Sequence, residues 1–192
     1  MLDKIIADVE KALDAEAYLS ALSLMMTIPD VCAKAEYGDD LKNKERYVKW
    51  FEEYIGKYNK APVKNGETGM PYLSGEIAYQ LRCSILHEGN PDIDKSKIKD
   101  EANQIDSFAL IVETKKPFDI YVDSSSVASE MDGIVTCRSY EINIRRLWVQ
   151  IKSVASRYYA EHKEKFDFLN FKVVDMDQRT ALMERLNKKT KQ

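Results

Sequence analysis

LSGEIAYQLRCSILHEGNP, residues 73–91, is the stretch that decides the fold. Ser74 is a strong N-cap residue, Leu73 and Ala78 stand where a hydrophobic staple pairs its two apolar groups, and Gly89 with Pro91 supplies a stop. The spacing therefore predicts a helix over 75–88. At about 100° per residue, Ile77, Leu81 and Ile85 fall within one stripe, with Ser84 between them. Opposite that stripe lie Tyr79, Cys83 and Leu86, flanked by Arg82 and His87. A helix that is apolar on two faces needs two packing partners, so the second face is expected to meet another helix of the chain or a symmetry mate.

Working outward, Leu2, Ile6, Val9 and Leu13 step by four, three and four, which predicts an N-terminal amphipathic helix. A second helical run, about 15–27, ends near Pro29, which either kinks it or opens the next turn. Residues 44–58 place Val48, Phe51, Ile55 and Tyr58 on one face, widened by Trp50 and Tyr54. The APVKNGETGMPY segment that follows reads as a loop. Beyond residue 104 the period changes. SFALIVET (107–114), FDIYVD (118–123) and GIVTCRSY (133–140) are short and rich in Val, Ile, Phe and Tyr, so they read as strands of a small antiparallel ribbon. Helical spacing returns over 141–165 through Ile142, Ile144, Leu147, Ile151, Val154 and Tyr158. FLNFKVVD (168–175) is an ambiguous strand, and 177–187 a short terminal helix. Strands so few and short cannot make a core alone. The expected fold is mainly α, a single-domain up-and-down bundle over about 1–90 and 140–165, with a β insertion over about 104–140 and a basic tail over 176–192.

With 29 Lys and Arg against 32 Asp and Glu, the net charge is −3. Residues 142–192 nevertheless hold twelve basic against six acidic side chains. That asymmetry permits a nucleic-acid-facing surface there, while the overall acidity argues against a non-specific nucleic-acid binder. Arg145, Arg146, Lys152 and Arg157 are the candidate backbone contacts, with Trp148, Tyr158 and Tyr159 as stacking faces. Cys32, Cys83 and Cys137 lack paired spacing, and only His87 and His162 stand beside them, so neither a disulfide framework nor a metal site is expected, and no cofactor fingerprint is present. Ser124-Ser125-Ser126 reads as a polar loop tip. Seven charges in the first twenty residues, and no apolar run near membrane-span length, lead to the expectation of a cytoplasmic protein without membrane association.

Arg82-Cys83-Ser84-Ile85-Leu86-His87 has the form Arg, four residues, His, on a helix of an all-α bundle, followed by an acidic residue and Gly. It resembles the signature of the HEPN superfamily. That resemblance implies a four- or five-helix bundle that dimerises, with Arg82 and His87 of both subunits lining a shared cleft that cuts RNA without a metal. It also implies toxin or phage-defence roles, with a cognate antitoxin or regulatory protein as partner. Other members are non-catalytic modules that bind protein, RNA or nucleotide. Cys83 stands where active members most often carry Asn, Asp or His.

In the catalytic reading His87 takes or gives a proton near neutral pH and Arg82 holds the phosphorane oxygens, giving 2′,3′-cyclic phosphate products. The two functions predict different surroundings. An active pair is exposed to an electropositive cleft; an inactive one is tied into ion pairs, Arg82 with a nearby carboxylate such as Glu76.

Overall fold

The computed structural model describes residues 1–60, 71–89, 92–112, 124–131, 134–172 and 174–189. The expected strand at 118–123, most of the 61–72 loop, the Pro91 stop and the end of the tail lie outside the described residues. The chain is mainly helical, as its periodicities require. In α1 (Leu2–Asp14), Leu2, Ile6, Val9 and Leu13 are all buried. Helices α2 (Tyr18–Met25) and α3 (Ile28–Tyr37) follow, and Pro29 lies in the first turn of α3, where its missing N–H costs nothing. The proline opens a helix rather than bending one.

Helix α4 (Asn43–Phe51) runs through a π turn (Glu52–Gly56) into the short α5 (Lys57–Asn59). Tyr47, Trp50, Phe51 and Ile55 are buried, whereas Tyr58 is 75% exposed. This corrects the expected stripe: a π turn accommodates an extra residue and rotates everything beyond it, so Tyr58 leaves the core face. Helix α6 (Gly75–Cys83) is capped by Ser74, whose Oγ accepts the Ile77 N–H at 3.3 Å. It continues through a second π turn (Ser84–Glu88) to Gly89, which at φ +63° makes the left-handed stop.

Strands β1 (Ser107–Ile111), β2 (Ser124–Met131) and β3 (Ile134–Asn143) form one sheet in the order β1-β3-β2. The expectation of a wholly antiparallel ribbon is wrong. β2 and β3 pair antiparallel, but β1 lies beside β3 rather than its sequence neighbour, and runs parallel to it with Ser107 opposite Ser139. Nor is Ser124-Ser125-Ser126 a loop tip, since it begins β2 opposite Ile142, Glu141 and Tyr140. Asn143 ends β3 and caps α7 (Ile144–Glu161), accepting the N–H groups of Arg145 and Arg146. Residues 168–172 and 174–175 form no strand, and α8 (Met176–Lys189) closes the described chain.

The core joins the apolar faces of α1 to α4, α6 and α7 with Phe108, Tyr140 and Ile142 of the sheet. Among the described residues no helix is long and apolar enough to cross a membrane, and no group of three or more His, Cys, Asp or Glu could hold a metal ion.

One polar lock joins α3 to the end of α7. Glu36 accepts hydrogen bonds from Lys165, at 2.8 Å, and from the Tyr158 hydroxyl. Those bonds, Lys165 first, hold its carboxyl below the usual carboxylate range. A depressed carboxylate stabilises the fold above its unfolded-state value, about 4.3, and loses that contribution as pH falls through the folded value. Glu36→Gln should therefore cost about 1–2 kcal/mol at pH 7, with the deficit shrinking below pH 4 in urea titrations. A deficit that persists unchanged at pH 3 would contradict the assignment.

Candidate functional site around Arg82

The two-faced helix finds both partners within its own chain. Ile77 and Leu81 enter the core. On the second face, the Tyr79 ring meets Tyr47 of α4 edge-on, with centroids 5.3 Å apart. Leu86 stays 38% exposed.

The Arg82 guanidinium lies 6.0 Å from the Tyr79 ring centroid, and its Nε donates to Asp30 Oδ2 of α3 at 2.9 Å. The two side chains are only 17% and 18% exposed. The partner is thus Asp30, 52 residues away in sequence, and not Glu76, which accepts the Lys99 N–H at 2.8 Å. Burial raises the Asp30 carboxyl above the usual carboxylate range, outweighing the opposite pull of Arg82. Burial acts to lower Arg82, but Asp30 overrides it and holds the guanidinium in its charged form. The second carboxylate oxygen, Asp30 Oδ1, is buried without a hydrogen-bond partner, as is Arg46 Nε. Asp30 escaped the reading of the sequence, although a signal existed. It is the one carboxylate set among Ile28, Pro29, Cys32 and Ala33, the buried residues of α3, and a charge on an apolar stripe calls for a counterion.

Position 87 lies in the Ser84–Glu88 turn, and the His87 side chain is outside the described atoms. The turn itself matters. In an α-helix, residues five apart diverge by about 140°. A π turn closes between residues five apart, as the Gly89 N–H to Ser84 carbonyl bond of 2.7 Å shows here, and so draws positions 82 and 87 toward one side.

Beside this helix is a cleft of about 360 Å³, lined by Tyr79 and Cys83 with Lys44, Lys97, Asp92 and Asp94. Among the described residues that line it, two carboxylates offset two ammonium groups. Arg82 is not among its lining residues.

The four cations of α7 do not form one stripe. Arg145 Nη2 donates to the Leu13 carbonyl at the end of α1, at 3.2 Å, and Lys152 pairs with Glu10 of α1. Seven residues apart, these two share a ridge that ties α7 to α1. Arg146 and the exposed Arg157, eleven apart, share another ridge about 120° away. Trp148 and Tyr158 are 6% and 2% exposed and belong to the core, while Tyr159 packs edge-on against Phe166 at 4.8 Å. The first two rings are therefore not stacking faces, and Tyr159 is partly buried. His162 lies 4.7 Å from the Tyr158 ring, just past α7. Comparison of the chain with family models, curated proteins and solved structures gives no match.

Proposed function

We propose that this chain is a non-catalytic, HEPN-like helical module that acts by binding a protein partner. The observation that carries this reading is the Arg82–Asp30 ion pair. A guanidinium four-fifths buried and held at 2.9 Å by a carboxylate of another helix ties α6 to α3, and so much of its charge is already answered within the chain. A phosphorane needs the opposite, a cation presented to substrate with its charge uncompensated. The mixed-charge cleft next to it points the same way, as does Cys83 in the position after the arginine.

A second reading, metal-independent cleavage of RNA by Arg82 and His87 through the 2′-hydroxyl, is favoured by the π turn that draws positions 82 and 87 together. Mixed labelled RNAs incubated in EDTA separate the two. The binding-module reading expects no cleavage by the wild-type chain above that of His87→Ala. Cleavage that ends in 2′,3′-cyclic phosphates and disappears in folded His87→Ala would overturn it in favour of the nuclease.

A further inference from the structure

Several polar side chains around the cleft beside α6 answer one another. The Ser84 hydroxyl donates to the Asp92 carbonyl at 3.0 Å, Lys97 pairs with Asp94 at 3.2 Å, and Asp94 also accepts the Ser96 N–H and hydroxyl. Gln80 and Lys44 stand apart from this. Gln80 is only 5% exposed and lines the cleft, yet its side-chain amide has no hydrogen-bond partner among the described residues. A buried amide without a partner is costly unless something polar occupies the space before it. Lys44, half-buried in the first turn of α4, forms no ion pair among the described residues.

Cys83 stands between these groups. It follows Gln80 by three residues and Tyr79 by four, so the three share one side of the helix and one wall of the cleft. Lys44 precedes by three residues Tyr47, whose ring meets Tyr79, and so reaches the cleft from α4. Arg82 Nη1 comes within 4.0 Å of Cys83 Sγ, but that guanidinium is paired with Asp30. Lys44 is the cation left for a ligand. The other two thiols lack such a setting. Cys32 is fully buried, and burial pushes its thiol up; Cys137 is half-buried in β3 opposite Ser129, outside the cleft lining.

We propose that Cys83 is a thiolation site, which takes up one half of a small, carboxylate-bearing disulfide of amino-acid or peptide type. The Cys83 thiol gives up its proton and the sulfur attacks one sulfur of the incoming disulfide. A Cys83 S–S bond forms, the original S–S bond breaks, and the other half departs as a thiolate that takes up a proton. Cys83 is oxidised and the departing half reduced, so the reagent is the only oxidant. Lys44 receives the carboxylate, Gln80 pairs with an amide or carboxylate, and Asp92 on the same cleft suits the ammonium group that such molecules also carry. So small a cleft makes few contacts, and the covalent bond supplies the retention that they do not. None of this depends on whether the chain binds a protein or cuts RNA.

The test is peptide mapping by mass spectrometry of the reduced full chain after timed exposure to glutathione disulfide or, in parallel, to the neutral 2-hydroxyethyl disulfide. Glutathione disulfide is expected to modify Cys83 at least about tenfold faster than Cys137 and to leave Cys32 untouched. Lys44→Gln, at a half-buried position that spares the fold, should slow this reaction about three- to fivefold and leave that of the neutral reagent unchanged. Gln80→Leu should also slow it while raising the urea midpoint, because an apolar group replaces an unpartnered buried amide. A purely structural residue would lower the midpoint instead. No adduct on Cys83, preference for Cys137, or a Lys44→Gln effect that is absent or equal for both reagents overturns the proposal. So does a Gln80→Leu chain that reacts at the wild-type rate.

Discussion

Gly75→Ala should lower the melting temperature by about 6–12 °C, corresponding to a loss of about 3 kcal/mol in a chain of this size. The reason is the approach of α6 to α4. A Cβ on Gly75 would lie 2.3 Å from the Val48 carbonyl oxygen and about 3 Å from the carbon behind it, with backbone on both sides and no side chain to swing away. Relief requires the two helices to separate. Separation would stretch the hydrogen bond from the Gly75 N–H to Glu52 Oε2, now 2.9 Å, and loosen the bond from the Tyr72 hydroxyl to Glu52 Oε1, also 2.9 Å. The gain in helix propensity from Ala, at most about 1 kcal/mol in a helix interior and less at a first turn, is too small to compensate. Gly89→Ala supplies the control. A Cβ there meets nothing, so only the left-handed backbone, φ +63°, opposes it, at about 1–2 kcal/mol. If Gly75→Ala melts no lower than Gly89→Ala, the close approach of α4 and α6 is not what fixes that glycine.

That contact also shows which parts of the molecule are legible in its sequence. The capped helix from Ser74 to Gly89 is local chemistry, and the cap and the left-handed stop stand where the residue types put them. The N-terminal stripe is legible for the same reason. What periodicity cannot carry is an extra residue in a turn. Both π turns preserve the apolar composition of their helices while changing which residues face the core, and Tyr58 leaves the core on that account. Strand β2 is missed because its SSSVASEM sequence lacks the β-branched density that marks strands, and it is held instead by ladder bonds to β3. The direction of β1 is a matter of which strand it pairs with, a choice made by the whole sheet. The partner of Arg82 is harder still, since Asp30 reaches it only once α3 and α6 are packed. The spacing along the helix suggests a carboxylate such as Glu76, whereas packing brings in a residue of another helix.

The second large effect concerns that pair, and it bears on how any activity measurement is read. Asp30→Ala should destabilise the chain by about 2–4 kcal/mol, somewhat under the 3–5 kcal/mol that follows loss of one partner from a fully buried pair, because both ends keep some contact with water. Arg82→Ala should cost a similar amount, since it strands a carboxylate whose other oxygen, Oδ1, is already buried without a partner. The double variant Asp30→Leu/Arg82→Met should recover most of the loss, because apolar groups of comparable volume leave no charge to desolvate. A double-mutant cycle in urea would thus return a coupling of about 2 kcal/mol or more. A coupling near zero would mean that Arg82 is held for a purpose other than joining α6 to α3, and would return weight to a catalytic role. The cycle also decides which variant can speak about RNA cleavage. Arg82→Ala weakens the fold and any phosphate contact together, so its inactivity alone says nothing of mechanism. Asp30→Asn is the informative change, since it keeps the volume and removes the competing charge. A nuclease whose arginine is restrained by Asp30 would gain activity in Asp30→Asn, whereas a binding module would lose stability and cleave nothing.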